Sequence, residues 1–170
     1  RPGVGEPLPE LAATDQSGND FSLSSTLGSM ALIIMNGGEW CPPCRTFAAM
    51  SQGLLDEWEM ADDRYSVRFV QIMIDNGTFG EAATQASTAQ WAESQGVTYP
   101  VLFGEGIEPY INEHMAELIT VGTFGVPSCW LVDPLGQIRD FGVCGQYVED
   151  GITPVFETFL SENPEWMQAP

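Results

Sequence analysis

The chain has 170 residues, 44% hydrophobic and 11% aromatic, and its 24 acidic side chains face five basic ones, all Arg, for a formal charge of -19 at pH 7. That length buries a full core in one domain without staples. The acidic balance excludes nucleic acid and anionic membrane surfaces as partners, since a phosphate backbone is bound by clustered cations; it reads as a solvated, self-repelling surface or as steering of a cationic partner.

Residues 1 to 28 are rich in Gly, Pro, Ser and Asp, with apolar side chains at Leu11, Phe21 and Leu23, and predict an irregular lead-in with a small hairpin turned at Ser17-Gly18-Asn19. Met30 to Asn36 is a continuous apolar run stopped by Gly37-Gly38, as expected of a central strand buried on both faces. After Trp40-Cys41-Pro42-Pro43-Cys44, the apolar Phe47, Leu54, Leu55 and Trp58 recur at helical spacing and predict a helix over about residues 43–60, with Pro at its first positions, where a missing N–H does no harm. Val67 to Ile74 is a second buried strand, and the Ala-rich segment from about Gly80 to Ser94, anchored by Trp91, reads as a helix. Thr98 to Phe103 is a short strand, and Glu108-Pro109 opens a helix with Ile111, Met115 and Leu118 on one face.

Such alternation of strand and helix means parallel pairing and an α/β class. The end differs: Ser128 to Val132, the turn Asp133 to Gly136, and Gln137 to Val143 predict a hairpin, and Ile152, Val155, Phe156, Phe159 and Leu160 mark a closing helix halted by Asn163-Pro164. No apolar stretch approaches the roughly 20 residues that span a bilayer, so no membrane insertion is expected. The chain starts at Arg1 without a Met, so a removed signal, anchor or trimmed segment is expected upstream.

The chemistry lies in the cysteines. A strand, then Cys-X-X-Cys, then a helix puts Cys41 at a helix N-terminus, where free N–H groups and the positive end of the dipole stabilise a thiolate, the nucleophile of disulfide exchange. Cys41 is expected to be the exposed, attacking sulfur and Cys44, one turn deeper, the resolving one. Structural zinc would need a second Cys pair or a His pair, whereas the chain holds one Cys-X-X-Cys and the single His114, so no metal or organic cofactor is expected. A cross-link closing so short a loop gains little entropy, which suits a switch better than a staple. His114 reads as a surface or packing residue, and Asn76-Gly77-Thr78 as a turn before it reads as a glycosylation sequon.

Trp40-Cys41-Pro42-Pro43-Cys44-Arg45, then Gly125-Val126-Pro127-Ser128 and Leu131 to Arg139, resemble the TlpA-like and ResA-like branch of the thioredoxin superfamily, and Val4-Gly5-Glu6-Pro7 with Gly18 to Leu23 is similar to the lead-in those proteins share with peroxiredoxins. The resemblance implies a thioredoxin-like fold: a central mixed sheet flanked by helices, with an N-terminal extension and an inserted strand and helix, here filled by Gly80 to Phe103. It divides the chain into the lead-in 1–28 of the same domain, a thioredoxin-like domain over 29–162 and a tail over 163–170. Pro127 is implied to be a cis-proline opposite the cysteine pair, with Trp40 and Val126 forming part of a shallow apolar surface for the bound polypeptide; plain packing is the alternative for Trp40. The implied activity is ping-pong dithiol-disulfide exchange with protein thiols and disulfides, supplied by an upstream redox partner, from a periplasmic or extracellular monomer.

Two departures bear on mechanism. Thioredoxins keep a buried Asp six residues before the first Cys and ResA-like proteins a Glu six residues after it, but this chain has Met35 and Phe47. The usual proton acceptor for the resolving thiol is missing, and Glu39 is expected to be exposed and without that role. Pro42 and Pro43 also remove two N–H donors from around the Cys41 thiolate, while Arg45 adds a cation; the net lean is toward a reductase, nearer the about -270 mV of thioredoxin than the about -120 mV of DsbA. A peroxiredoxin-like peroxidase would need Pro-X-X-X-Thr-X-X-Cys, and Gly38 stands where that Thr belongs. A non-catalytic binding module is the third reading.

Cys129 and Cys144 flank the predicted hairpin. If Asp133 and Gly136 close a two-residue turn, Cys129 lies opposite Asp140 and Cys144 opposite Gly125, leaving them about 13 Å apart at about 3.3 Å per residue, so that a bulge is needed to join them. A second disulfide, two buried small hydrophobes, and a relay of electrons through Cys144 all stay open.

Overall fold

The structure is a computed structural model that describes residues 3–61, 67–114, 125–145, 158 and 161–164. Seven strands, β1 (Ala12–Asp15), β2 (Asp20–Ser22), β3 (Met30–Asn36), β4 (Val67–Met73), β5 (Val101–Phe103), β6 (Ser128–Val132) and β7 (Ile138–Val143), accompany three helices, α1 (Pro42–Ala61), α2 (Gln85–Gln95) and α3 (Ile107–His114). The strands make one mixed sheet in the order β2-β1-β5-β4-β3-β6-β7. Strand β3 pairs parallel with β4 and antiparallel with β6, which makes it interior, as its unbroken apolar run requires.

The period-2 alternation of side chains divides the core between two faces. Leu32, Ile34, Phe69, Val101 and Leu131 pack with Phe47, Ala48 and Leu55 of α1 and Trp91 of α2. Ile33, Met35, Ile72, Leu102 and Trp130 face the other way, against Ile107, Tyr110 and Ile111 of α3 together with Leu11 and Leu23. The chain is therefore a thioredoxin-like α/β sandwich of helices around a sheet.

The lead-in is more ordered than an irregular segment. Its hairpin joins the sheet, with Thr14 paired to Phe103 and Asp15 to Leu102 of β5. The Gln16 side chain extends the join, donating to Tyr99 O (3.0 Å) and accepting from Val101 N (2.7 Å). Helix α2 begins five residues later than its Ala-rich composition suggests, because Thr84 and Ser87 form a reciprocal capping box ahead of Gln85. The segment before it is folded into a turn by the Asp75–Ala82 bridge and by Thr78 N–H donating to Asn76 Oδ1 (2.6 Å). Met115, Leu118, the Trp58 side chain and the closing helix expected over 152–160 lie outside the described residues.

The β6–β7 hairpin departs from the two-residue turn. Asp133 Oδ1 accepts from Leu135 N (2.8 Å) and Gln137 N (2.9 Å) while Oδ2 pairs with Arg139 Nε (2.6 Å), holding a wider loop in which Val132 meets Ile138. A bulge follows between Leu131 and Val132, so Cys129 lies opposite Gly142 and not Asp140. Loop and bulge together slip the register by two residues. Cys144 consequently meets Pro127, whose carbonyl accepts from its N–H (3.1 Å), and Cys129 and Cys144 form a disulfide with their Cα atoms 5.0 Å apart.

Candidate active site

Strand β3 ends at Asn36, whose side-chain oxygen accepts from Gly38 N (2.9 Å) and turns the chain toward α1. Two glycines make that turn possible. Gly37 lies under the Trp40 ring and the Val126 side chain, and a Cβ there would stand 2.8 Å from Trp40 Cη2 and 2.9 Å from Val126 Cγ2. Gly38 has φ +147° with Asn76 O only 2.6 Å from a Cβ position, so no side chain fits.

Cys41 follows at the helix start and is joined to Cys44 by a disulfide, with Cα atoms 5.3 Å apart. Because Pro42 and Pro43 carry no N–H, the first amide of α1 available to the sulfur is that of Cys44, and it points at Cys41 Sγ from 3.3 Å. The Arg45 guanidinium bonds the Glu39 carbonyl, tying the loop before Cys41 to the helix after it. Glu39 itself is half-buried against Gly77 and not exposed.

The sulfur is less open than a helix start implies. Cys41 is 2% exposed and Cys44 fully buried, because the loop from Gly125 to Pro127 stands across the pair, with Val126 O 3.7 Å from Cys41 Sγ. The Val126–Pro127 bond is cis, Pro127 is buried, and the Cys129–Cys144 disulfide lies directly behind it. Met35 and Phe47 are both buried apolar side chains.

Trp40 is half-buried and held by a partner that sequence reasoning missed. Its Nε1 donates to Asp75 Oδ2 (3.1 Å), and the same oxygen accepts from Gly80 N (3.0 Å). The ring meets Phe79 edge-on, centroids 5.0 Å apart. Asp75 follows the C-terminal end of β4, beside β3, the position where open α/β sheets place their sites, and that rule is the signal by which it could have been found.

Residues 4–141 match the model of the AhpC/TSA family. The chain belongs to that family. No curated protein matches this AhpC/TSA member in sequence. Among solved structures it is similar to a thiol:disulfide interchange protein of the thioredoxin family from Chlorobium tepidum (22% identity, TM-score 0.60, covering 83% of this chain and 85% of that one). The thioredoxin domain of a thiol-disulfide oxidoreductase from Bacteroides vulgatus is 17% identical at a TM-score of 0.66, over 91% and 99% of the two chains. A peroxidoxin from Mycobacterium tuberculosis is 14% identical at 0.61, over 90% and 96%. At these identities what the AhpC/TSA member shares with them is the fold.

Proposed function

We propose that this chain is a thiol-disulfide oxidoreductase that exchanges the Cys41–Cys44 pair with cysteines of protein substrates, working as a reductase. The observation that carries the reading is the disulfide at the N-terminus of α1, faced by the Val126–Pro127 loop. In the dithiol form the Cys41 thiolate, supported by the Cys44 amide and the helix dipole, attacks one sulfur of a substrate disulfide. That S–S bond breaks, its electron pair leaves on the second substrate sulfur, and a mixed disulfide to Cys41 remains. Cys44 then loses its proton and attacks Cys41 Sγ, releasing the first substrate sulfur as thiolate. Two electrons have passed to the substrate, the chain keeps the Cys41–Cys44 disulfide, and an upstream dithiol must restore it. Trp40, Val126 and Pro127 form the surface against which the substrate lies, and because Cys41 is covered, attack begins when a substrate parts the loop from Trp40.

The reductive direction is supported by the two prolines, which leave a single helix amide for the thiolate; the less the thiolate is stabilised, the more reducing the pair. Two disulfides favour an oxidising compartment such as the periplasm or the cell exterior. Among the described residues no helix is long and apolar enough to cross a membrane. The pairing of β1 with β5, and Leu11 and Leu23 in the core, favour counting residues 1–28 with the domain that follows, and the charge of -19 favours a monomer.

The test is capture. Cys44→Ser should accumulate mixed disulfides with oxidised protein substrates, whereas Cys41→Ser should not; absence of adducts from both variants in every redox buffer, with no insulin reduction by the native chain, would leave a binding module as the answer. The likeness to a peroxidoxin raises a peroxidase alternative, but position 38 offers neither the Thr of such loops nor room for it, and hydrogen peroxide should be consumed no faster than by free cysteine.

A further inference from the structure

Beside the redox pair lies a cavity of about 460 Å³ whose lining is chemically one-sided. Trp40, Phe79, Ile111 and Val126 make it apolar, Asp75 and Glu108 make it anionic, and no basic side chain lines it among the described residues. Trp40, which precedes Cys41, and Val126, whose carbonyl lies against its sulfur, belong to the lining, so the cavity adjoins the loop that covers Cys41. Three features go beyond packing. Phe79 is 76% exposed although large and aromatic. Asp75 is only 9% exposed, and while its Oδ2 takes both Trp40 Nε1 and Gly80 N, no described group bonds its Oδ1. Glu108 is exposed in the first turn of α3 and lines the same cavity.

We infer that this groove selects substrates by a basic side chain: it takes a Lys or Arg lying within a residue or two of the reacting cysteine. The inference rests on the oxidoreductase reading and names its substrate class. The buried Asp75 carboxylate, whose Oδ1 takes no described partner, and the exposed Glu108 receive the charged head, while the aliphatic stem lies over Phe79, whose face attracts a cation. Trp40 and Val126 then cover the neighbouring apolar residue and bring the substrate disulfide to Cys41. The charge of -19 steers a cationic segment toward the site from a distance, and the groove reads it at contact.

The experiment uses the full chain, reduced, and three short peptides that each carry one cysteine as a mixed disulfide with thionitrobenzoate, differing only in a Lys, Ser or Glu beside a Phe next to that cysteine. Released thionitrobenzoate gives the second-order rate constant of a single turnover, in which the reduced chain passes two electrons to the peptide and is left as the Cys41–Cys44 disulfide. The Lys peptide should exceed the Glu peptide by about tenfold, with the Ser peptide between them. Near 0.5 M salt, where the Debye length falls to a few ångströms, about threefold should survive because the contact is local. Glu108→Gln and Phe79→Ser should each bring the low-salt ratio down to about threefold or less. Equal rates for the three peptides would overturn the inference while leaving the oxidoreductase reading intact. A preference unchanged in both variants would assign selection to the overall charge and overturn the groove. Failure to react with all three peptides and with insulin would instead sink the oxidoreductase reading itself.

Discussion

At the scale of single residues, the loop between β3 and α1 leaves the Cys41 sulfur one well-placed amide, that of Cys44, and places apolar side chains at positions 35 and 47. Met35 and Phe47 are buried and apolar, so neither position accepts the proton of Cys44. Resolution of the mixed disulfide, which needs the Cys44 thiolate, should then quicken as pH rises from 6 to 8; stopped-flow rates on a preformed Cys41 adduct check this, and a flat profile over that range would reveal a hidden internal base. Both glycines before Trp40 are constrained by neighbours more than 35 positions away: Gly37 by Val126, Gly38 by the Asn76 carbonyl. They read in the sequence only as a strand stop.

Among the elements, the β6–β7 hairpin carries the second disulfide and with it the loop that faces Cys41. The two cysteines stand 15 positions apart in sequence, so removing the cross-link through the double substitution Cys129→Ala, Cys144→Ala should cost about 3 kcal/mol. Guanidinium unfolding of the oxidised protein measures it, and a loss under about 1 kcal/mol would mean that sheet pairing alone fixes the hairpin. Helix α1 meets the inserted α2–β5 unit through Tyr99, whose hydroxyl lies 2.6 Å from Ser51 Oγ. Ser51 spends its proton on Ala48 O (2.9 Å), so Tyr99 is the donor. Burial pushes Tyr99 up from 10.0 to about 12, against the lowering effect of Ser51, and burial followed by the Glu10 charge raises Tyr110 as well. A folded value above the unfolded one means stability is whole below pH 10 and is lost as pH climbs toward 12. Tyr99→Phe should therefore lower stability by about 1 kcal/mol at neutral pH and flatten the alkaline decline, both read by denaturant midpoints across pH.

For the whole molecule, the dominant fact is 24 acidic side chains against five Arg. Among the described residues Arg139 is spent on buried Asp133 in the hairpin loop, and Arg45 is bonded to a backbone carbonyl, so little positive charge remains to offset the surface. Self-repulsion of this kind weakens as the Debye length shrinks from about 30 Å at 0.01 M salt to about 3 Å at 1 M. The melting temperature should rise by several degrees over that range, and a calorimetric scan showing none would mean that the carboxylates are too far apart to destabilise the fold.

The sequence by itself determined what local rules govern: a buried central strand from an unbroken apolar run, a thiol pair at a helix start from Cys-Pro-Pro-Cys, and a β6–β7 hairpin from alternating residues around Asp-Pro-Leu-Gly. The contacts that build these features span a few residues, so their signals are written side by side. Tertiary structure alone decided the rest. The pairing of β1 with β5, the two-residue slip that brings Cys129 to Cys144, the covering of Cys41 by a loop 85 positions along the chain, and the meeting of Asp75, Phe79 and Glu108 in one groove all depend on which elements pack together. Register, exposure and convergence are properties of pairs of distant segments, and no single segment carries their signature.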